Sequence, residues 1–127
     1  MIDALFNQPN YLTAKKALDA VTLREQAIAS NIANLETPGY KRLDVAPSFN
    51  SELQRACASR DPQEIAALKP QLAVDASATP VSPDGNTVDL ESELLEMNKN
   101  SLANTLETQL ITTDFYRMRM AITGNAG

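Results

Sequence analysis

The side chains that could carry out chemistry are mostly carboxylates, because the sequence offers few other reactive groups. Its 127 residues include no His and one Cys, with 16 Asp and Glu against 11 Lys and Arg. Without His, a Ser-His-Asp hydrolase site, Cys-His catalysis and a His-ligated zinc are excluded. A single Cys excludes an internal disulfide or a cysteine-rich metal site. The net charge of −5 argues against nucleic acid, whose phosphates bind clustered Lys and Arg.

The carboxylates themselves do not form a convincing catalytic group. Glu91, Glu93 and Glu96 are best interpreted as the solvated start of a helix, where negative charge is favourable. Asp84-Gly85-Asn86 is like the start of a calcium loop, but the later ligands are missing, so it predicts a turn. Cys57 is expected to be an inert apolar residue on a helix face. We therefore predict no enzyme activity, no metal and no other cofactor.

Three segments organise the chain: a helical N-terminal arm (residues 1–44), a proline-rich middle segment (45–86) and a helical C-terminal arm (87–127). The first helix is predicted from about Asn10 to Asn34, because residues on one side recur at the alternating spacing of three and four that is typical of a coiled coil. These residues are Tyr11, Ala14, Leu18, Val21, Glu25, Ile28, Ile32 and Leu35, of which only Glu25 is not apolar. Thr37-Pro38-Gly39-Tyr40 then predicts a type II turn.

Five prolines divide the middle segment into short pieces. A helix is predicted over 48–59, with Phe49, Leu53 and Cys57 on one face. A second helix is predicted after Asp61 as its N-cap. Residues 71–76 are expected to be extended and 78–86 to form a loop. The last helix is predicted from Asp89, its N-cap, to about residue 122.

Apolar residues of the last helix form two rows on nearly opposite sides. The leucine row comprises Leu95, Leu102, Leu106, Tyr116 and Met120. The mixed row comprises Leu90, Leu94, Met97, Ile111, Phe115, Met118 and Ile122. One row can pack on the first helix, and the other would then be exposed for assembly unless the middle segment covers it. The predicted fold is mainly α, with long N- and C-terminal helices pairing as a coiled-coil-like hairpin and a proline-rich, mostly irregular middle segment.

The end of the first helix combines small residues, amides and a turn. Ala29, Ser30 and Ala33 would let another helix approach closely. Asn31 and Asn34 could satisfy backbone groups of a neighbouring chain or cap the helix end. An ordinary helix stop explains the turn, but it does not explain the amides and the small residues together.

This segment resembles a known family signature. Ser30-Asn31-Ile32-Ala33-Asn34 followed by Thr37-Pro38-Gly39-Tyr40-Lys41 is similar to the N-terminal signature of bacterial flagellar axial proteins. Asp84-Gly85-Asn86-Thr87-Val88-Asp89 and Asn100-Ser101-Leu102 are similar, more narrowly, to the FlgB family of proximal rod proteins. The resemblance covers residues 12–45 and 84–123 approximately. Ala103-Asn104 departs from it, since the family more often has a bulkier, aromatic-containing pair there.

The resemblance implies a structural subunit of the flagellar proximal rod, which assembles helically into a drive shaft and export channel. It implies a homo-oligomer that contacts other rod proteins, the adaptor protein FliE, the MS ring and the export gate. The residues themselves predict no membrane-spanning segment, because the sequence has no apolar run long enough to cross a bilayer. The residues expected at assembly interfaces are Leu18, Val21, Ile28, Asn31, Ile32, Asn34, Pro38, Gly39, Tyr40, Leu95, Leu102, Leu106, Ile111, Phe115 and Met118.

The residues and the resemblance give different expectations for the location of the protein in the cell. Met1-Ile2-Asp3-Ala4-Leu5-Phe6 lacks the pattern of a cleaved signal peptide, which alone would indicate the cytoplasm. The resemblance implies instead export by the flagellar type III system, without a cleaved signal, to a periplasmic rod. Two alternatives remain: another flagellar axial subunit, or a cytoplasmic helical adaptor or secretion chaperone.

Overall fold

The computed structural model describes residues 8–124, and the N-terminal segment that lacks a signal-peptide pattern lies outside the described residues. Two long helices begin and end this part of the chain: α1 (Pro9–Ala33) and α4 (Leu90–Thr123). Between them lie β1 (Leu43–Val45), α2 (Ser48–Ser59), α3 (Pro62–Ala67) and β2 (Leu72–Val74). The prediction of a mainly helical fold with long helices at both ends is confirmed.

Helix α1 has 25 residues and begins with Pro9 in its first turn, where a missing N–H costs nothing. It ends before Pro38, because Asn34 caps its last turn: the Asn34 Nδ2 donates to the Ser30 carbonyl at 2.8 Å. The predicted turn follows. Gly39 has a φ of +71°, and the Tyr40 N–H donates to the Thr37 carbonyl at 3.2 Å, as a type II turn requires.

The middle segment contains the two short helices that the sequence predicts. Asp61 caps α3 by accepting a hydrogen bond from the Gln63 N–H at 2.9 Å. The predicted extended residues contain β2, which pairs antiparallel with β1 so that Leu43 lies opposite Val74. The sequence did not predict β1, because three residues carry too short an alternation to be recognised. The Cys57 side chain is exposed, and Ala56 is the buried residue of that turn. That Cys57 is inert stays a prediction.

The apolar core joins α1 to the middle segment. One cluster contains Leu12, Ala56 and Ile65. A second contains Ala20, Val45 and Phe49. The middle segment therefore packs on α1 and leaves the leucines of α4 exposed, so the alternative in which it covers them is wrong.

Helix α4 has 34 residues, about 50 Å at 1.5 Å per residue. Asp89 is its N-cap, as predicted, and accepts from the Ser92 N–H at 3.3 Å. The helix packs against α1 with opposite chain direction, since Glu93 meets Asn31 whereas Asn100 meets Val21. A coiled-coil form of this pairing stays a prediction.

In the first half of α4 the face that meets α1 is polar, which corrects the expectation that an apolar row packs there, whereas Ile111 and Met118 of the mixed row are half-buried further along the helix. Glu93 and Asn100 are buried, and Glu107 and Asp114 follow at the same seven-residue spacing beside the start of α1. By contrast Leu102 is 62% exposed and Leu106 is 56% exposed. Glu93 and Asn100 can be buried there because Asn31, Arg42 and the Val21 carbonyl give them hydrogen-bond partners.

Within residues 8–124, none of the helices is both long enough and apolar enough to span a membrane.

Candidate functional site

Two of the segments that carry the family resemblance meet at one end of the molecule. The corner, as we call this region, comprises the end of α1 with its turn (residues 30–42), the loop over 84–89, and the side chains of Asp75 and Glu93. Its members come from sequence positions as far apart as Asn31 and Glu93, which are joined by a hydrogen bond of 3.2 Å. The corner thus fixes the positions of α1, β1 and α4 relative to one another.

Asn31 is the central side chain of the corner and is fully buried. Its Nδ2 donates to the Leu43 carbonyl at 2.9 Å and to Glu93 Oε2 at 3.2 Å. Its Oδ1 accepts from the Leu43 N–H at 2.8 Å and from the Tyr40 hydroxyl at 3.2 Å. Two donors and two acceptor sites are the full capacity of an amide. Asn31 is therefore completely satisfied within its own chain.

Tyr40 connects the turn back to α1. Its hydroxyl lies 3.1 Å from the Ser30 Oγ in addition to its bond with Asn31. The ring is half-buried, so that the aromatic body packs while the hydroxyl is paired, as is usual for tyrosine. The Tyr40 carbonyl accepts from the Thr87 N–H at 3.0 Å, which joins the turn to the loop before α4.

Asn86 closes the open end of α1. Its Nδ2 lies 3.0 Å from the Asn34 carbonyl, 3.0 Å from the Leu35 carbonyl and 2.8 Å from the Thr37 carbonyl. Carbonyls at a helix C-terminus have no partner within the helix, and one amide donor shared between acceptors is common there. The Asn86 Oδ1 accepts from the Val88 N–H at 2.8 Å. The turn chemistry predicted for residues 84–86 is present, since the Asn86 N–H donates to Asp84 Oδ1 at 2.9 Å.

A partly buried charge cluster lies beside Asn31. The Arg42 Nε donates to Glu93 Oε1 at 2.7 Å, and its Nη1 donates to Asp75 Oδ2 at 2.6 Å. Glu93 is only 1% exposed, so the expectation of a solvated carboxylate there was wrong. A buried carboxylate is tolerated when it is paired and hydrogen-bonded, and Arg42 and Asn31 together satisfy both Glu93 oxygens.

The pKa shifts of the cluster follow from these contacts. Burial by itself would lower the pKa of Arg42, but hydrogen bonds to Glu93 and Asp75 outweigh it and raise that pKa above its ordinary value. Hydrogen bonds from Ser77, and then from Arg42, lower the pKa of Asp75 against the effect of burial. Each shift favours the charged form, so the Arg42 ion pairs persist through the neutral range.

Two further contacts attach the residues after the turn to the loop before α4. The Lys41 Nζ donates to the Gly85 carbonyl at 2.8 Å, and the Arg42 N–H donates to the Thr87 hydroxyl at 2.8 Å. With its amides, charges and carbonyls mutually paired, the corner acts as a rigid joint between helices. It offers no free nucleophile beside a base.

The predicted site residues fall into three structural groups. The corner contains Asn31, Asn34, Pro38, Gly39 and Tyr40. A second group is buried or half-buried within the chain and comprises Leu18, Val21, Ile28, Ile32, Ile111 and Met118. The outer surface of α4 carries Leu95, Leu102, Leu106 and Phe115. Asn31 satisfies backbone groups of its own chain and Asn34 caps α1, and for all these residues a role in assembly stays a prediction.

Sequence reasoning missed Arg42, Asp75 and Glu93 as members of the corner. Glu93 shares the first turn of α4 with Glu91, and the sequence does not distinguish the buried one. One available signal was the seven-residue spacing of Glu93, Asn100, Glu107 and Asp114, which places four polar residues on one helical face.

Comparison with known proteins gives a consistent result. Residues 12–41 match the family described as flagella basal body rod protein. The chain is 34% identical over 116 residues to the flagellar basal body rod protein FlgB of Cereibacter sphaeroides, covering 83% of this chain and 89% of that protein. It is 32% identical over 104 residues to the protein of the same name from Escherichia coli, covering 69% and 74%. The corresponding protein of Borrelia hermsii is 28% identical over 127 residues, covering 86% and 92%.

Proposed function

We propose a role for this chain from the premise that it belongs to the FlgB family of flagellar basal body rod proteins. It is a structural subunit of the basal body rod, and it assembles there with other rod and basal body proteins. Its place is the proximal rod, where copies of the chain stack helically into a drive shaft that encloses the export channel. Its immediate neighbours are other rod subunits, the adaptor protein FliE, the MS ring and the export gate.

The observation that carries this proposal is the outer surface of α4. Leu95, Leu102 and Leu106 are each more than half exposed and recur along one side of a long helix. A monomer that functions alone rarely exposes a continuous apolar stripe, and such stripes usually mark interfaces. Burial of this stripe against neighbouring subunits supplies the assembly energy.

The corner supplies the second requirement of a shaft, which is stiffness. Hydrogen bonds of Asn31 and ion pairs of Arg42 hold α1 and α4 at one angle, so that torque on one helix is transmitted to the other. Export through the type III system, without a cleaved signal peptide, delivers the subunit to the periplasm.

Deletion and complementation in a motile host test the role. We expect the deletion strain to lose swimming and to lack assembled rods in electron micrographs of purified basal bodies, and the chain supplied on a plasmid to restore both. A deletion strain that swims normally and contains intact rods would contradict the proposal.

A further inference from the structure

A groove separates α1 from α4 on the half of the molecule nearest the corner. Its volume is about 740 Å³, and its walls are small or apolar on α1 and mainly polar on α4. Residues on the two walls include Ala29, Ile32, Ala33, Met97, Ser101 and Asn104. Glu25 is the charged residue of its lining. This carboxylate is exposed, and no Lys or Arg within residues 8–124 forms a salt bridge with it.

Asn100 forms part of the same wall and carries an unsatisfied acceptor. Its side chain is 94% buried, since it is 6% exposed, and its Nδ2 donates to the Val21 carbonyl at 2.9 Å. Its Oδ1 receives no hydrogen bond from any residue of the described part of the chain. Buried polar atoms without a partner are rare in native proteins. The exposed Glu25 carboxylate and the polar side chains of the α4 wall favour an occupant that brings positive charge and hydrogen-bond donors.

The opposite end of the molecule carries a segment with that chemistry. Asp114 lies in a cleft with Asn10 at the start of α1, and the tip of α4 (residues 115–123) continues beyond it for roughly 13 Å at 1.5 Å per residue. The tip exposes Phe115, Tyr116, Met120 and Ile122. It also carries two exposed arginines, Arg117 and Arg119, and neither forms a salt bridge among the described residues.

The two arginines point in different directions around the helix. At about 100° per residue, Arg119 lies between Phe115 and Tyr116 within the apolar face of the tip, whereas Arg117 lies about 160° away from it. The tip therefore has an apolar face with one cation, Arg119, at its centre. This face is complementary to the groove, whose α1 wall consists of small or apolar residues and carries one carboxylate, Glu25.

We propose that the tip of α4 from a second copy of this chain occupies the groove, where the Arg119 of that copy pairs with Glu25. The inference rests on the proposed function and deepens it by identifying one contact between copies. Groove and tip lie at opposite ends of α4, so the contact is head-to-tail and each copy uses two different surfaces. Such an interface generates an open helical array when the rotation does not close a ring.

Charge-reversal variants of the full chain test the pairing by sedimentation velocity. We expect Glu25→Arg and Arg119→Glu each to weaken self-association about tenfold, because a buried like-charge pair replaces an ion pair. The double variant Glu25→Arg/Arg119→Glu should recover most of this loss. Arg117→Glu is the matched control, with the same charge change on the other side of the helix, and should associate as the unmodified chain does.

Cysteine cross-linking gives an independent test of the geometry. In a Cys57→Ser background, a chain with Ala29→Cys is mixed with a chain with Tyr116→Cys, and oxidation should yield the mixed disulfide. The proposal fails if Arg117→Glu weakens association as much as Arg119→Glu does, or if the double variant stays as weak as the single ones. It also fails if the unmodified chain remains monomeric at about 1 mM or if no mixed disulfide forms.

Failure of this contact and failure of the rod function give different results. If Arg119→Glu restores swimming to a deletion strain as well as the unmodified chain does, the rod role stands and the contact is wrong. If the unmodified chain itself never restores rods, the rod role is wrong.

Discussion

Asn31 shows at the scale of one residue how the corner depends on an amide. Its four hydrogen bonds reach Tyr40, both backbone groups of Leu43 and the carboxylate of Glu93. A leucine has nearly the same size but neither donates nor accepts. Each of those partners would then lose one hydrogen bond in a site that is wholly or partly buried.

The first prediction is that Asn31→Leu lowers the free energy of unfolding by about 3 kcal/mol, the usual range for loss of a buried hydrogen-bond network. Urea denaturation followed by circular dichroism measures this change. Asn50→Leu is the control, since Asn50 is an exposed residue of α2, and it should shift the midpoint little. Equal stability of the two variants would show that the network does not stabilise the monomer.

Asp75 provides a pH-dependent prediction at the same scale. Its pKa is lowered in the folded chain from an ordinary value of 3.8, first by the Ser77 hydroxyl and also by Arg42. A lowered folded pKa contributes stability that is fully present above 3.8 and is lost as pH falls through the folded value. The second prediction is that Asp75→Asn is less stable than the unmodified chain at pH 7, and that the difference shrinks below pH 3.8.

This prediction is checked by measuring denaturation midpoints from pH 7 down to about pH 2.5, which covers the range in which carboxylates titrate. Asp19→Asn is the control, because it removes a negative charge from α1 without breaking a bond of the corner. The difference in stability between Asp19→Asn and the unmodified chain should therefore not depend on pH in the same way. A constant offset for Asp75→Asn at every pH would show that the Asp75 charge does not contribute.

The sequence predicted some of these residues and not others for a physical reason. Asn34, Gly39 and Tyr40 were recognisable because local geometry restricts the residue types at a helix end and a turn. Arg42, Asp75 and Glu93 come from three distant segments, and their pairing depends on packing that no local pattern reveals. Whether a carboxylate such as Glu93 is buried or solvated is decided by its partner, not by its helix position.

At the scale of elements, α4 carries its polar side toward α1. Glu107 follows Glu93 and Asn100 on this side and lines a cleft with Ala14, Ala17 and Leu53. Burial there raises the pKa of Glu107 above its ordinary 4.5. A raised folded pKa in an acid means that ionisation opposes folding, so stability decreases as pH rises from the unfolded toward the folded value.

The third prediction is therefore that Glu107→Gln is more stable than the unmodified chain at pH 7 and that this advantage disappears as pH falls below 4.5. The effect should be small, because the cleft is open to solvent and screening is strong. Thermal melts at pH 7 and pH 4 compare the two chains. Glu52→Gln on the exposed side of α2 is the control, and a Glu107→Gln chain that is less stable at pH 7 would contradict the assignment.

Helix boundaries were predictable from the sequence, whereas helix faces were not. The caps Asp61 and Asp89 mark helix starts through bonds that span two or three residues, and such short-range chemistry is visible in the sequence. Periodicity located the apolar rows of α4, but it does not say which partner each row meets. Because α4 has two apolar rows but only α1 to pack against within the chain, the sequence does not determine which side of α4 faces α1. The hydrogen bonds to Glu93 and Asn100 favour the orientation in which the polar side faces α1.

In the whole molecule, the residues that stabilise the fold and the residues available for assembly lie on different surfaces. The monomer core lies between α1 and the middle segment, and the corner joins α1 to α4 through polar groups. The leucines of α4 take part in neither. Substitutions on that outer surface should therefore change assembly without changing the stability of the monomer.

The fourth prediction concerns Leu102→Asp/Leu106→Asp. Both side chains are more than half exposed in the monomer, so the free energy of unfolding should change by less than about 1 kcal/mol. In a subunit interface, however, each aspartate would be a buried charge without a partner, which strongly opposes association. We expect the variant to be produced and folded yet absent from purified basal bodies, with loss of swimming in soft agar. Leu102→Met/Leu106→Met is the control, because it keeps the apolar volume, and it should incorporate normally. Normal incorporation of the aspartate variant would contradict the prediction and place the subunit interface on another face of the molecule.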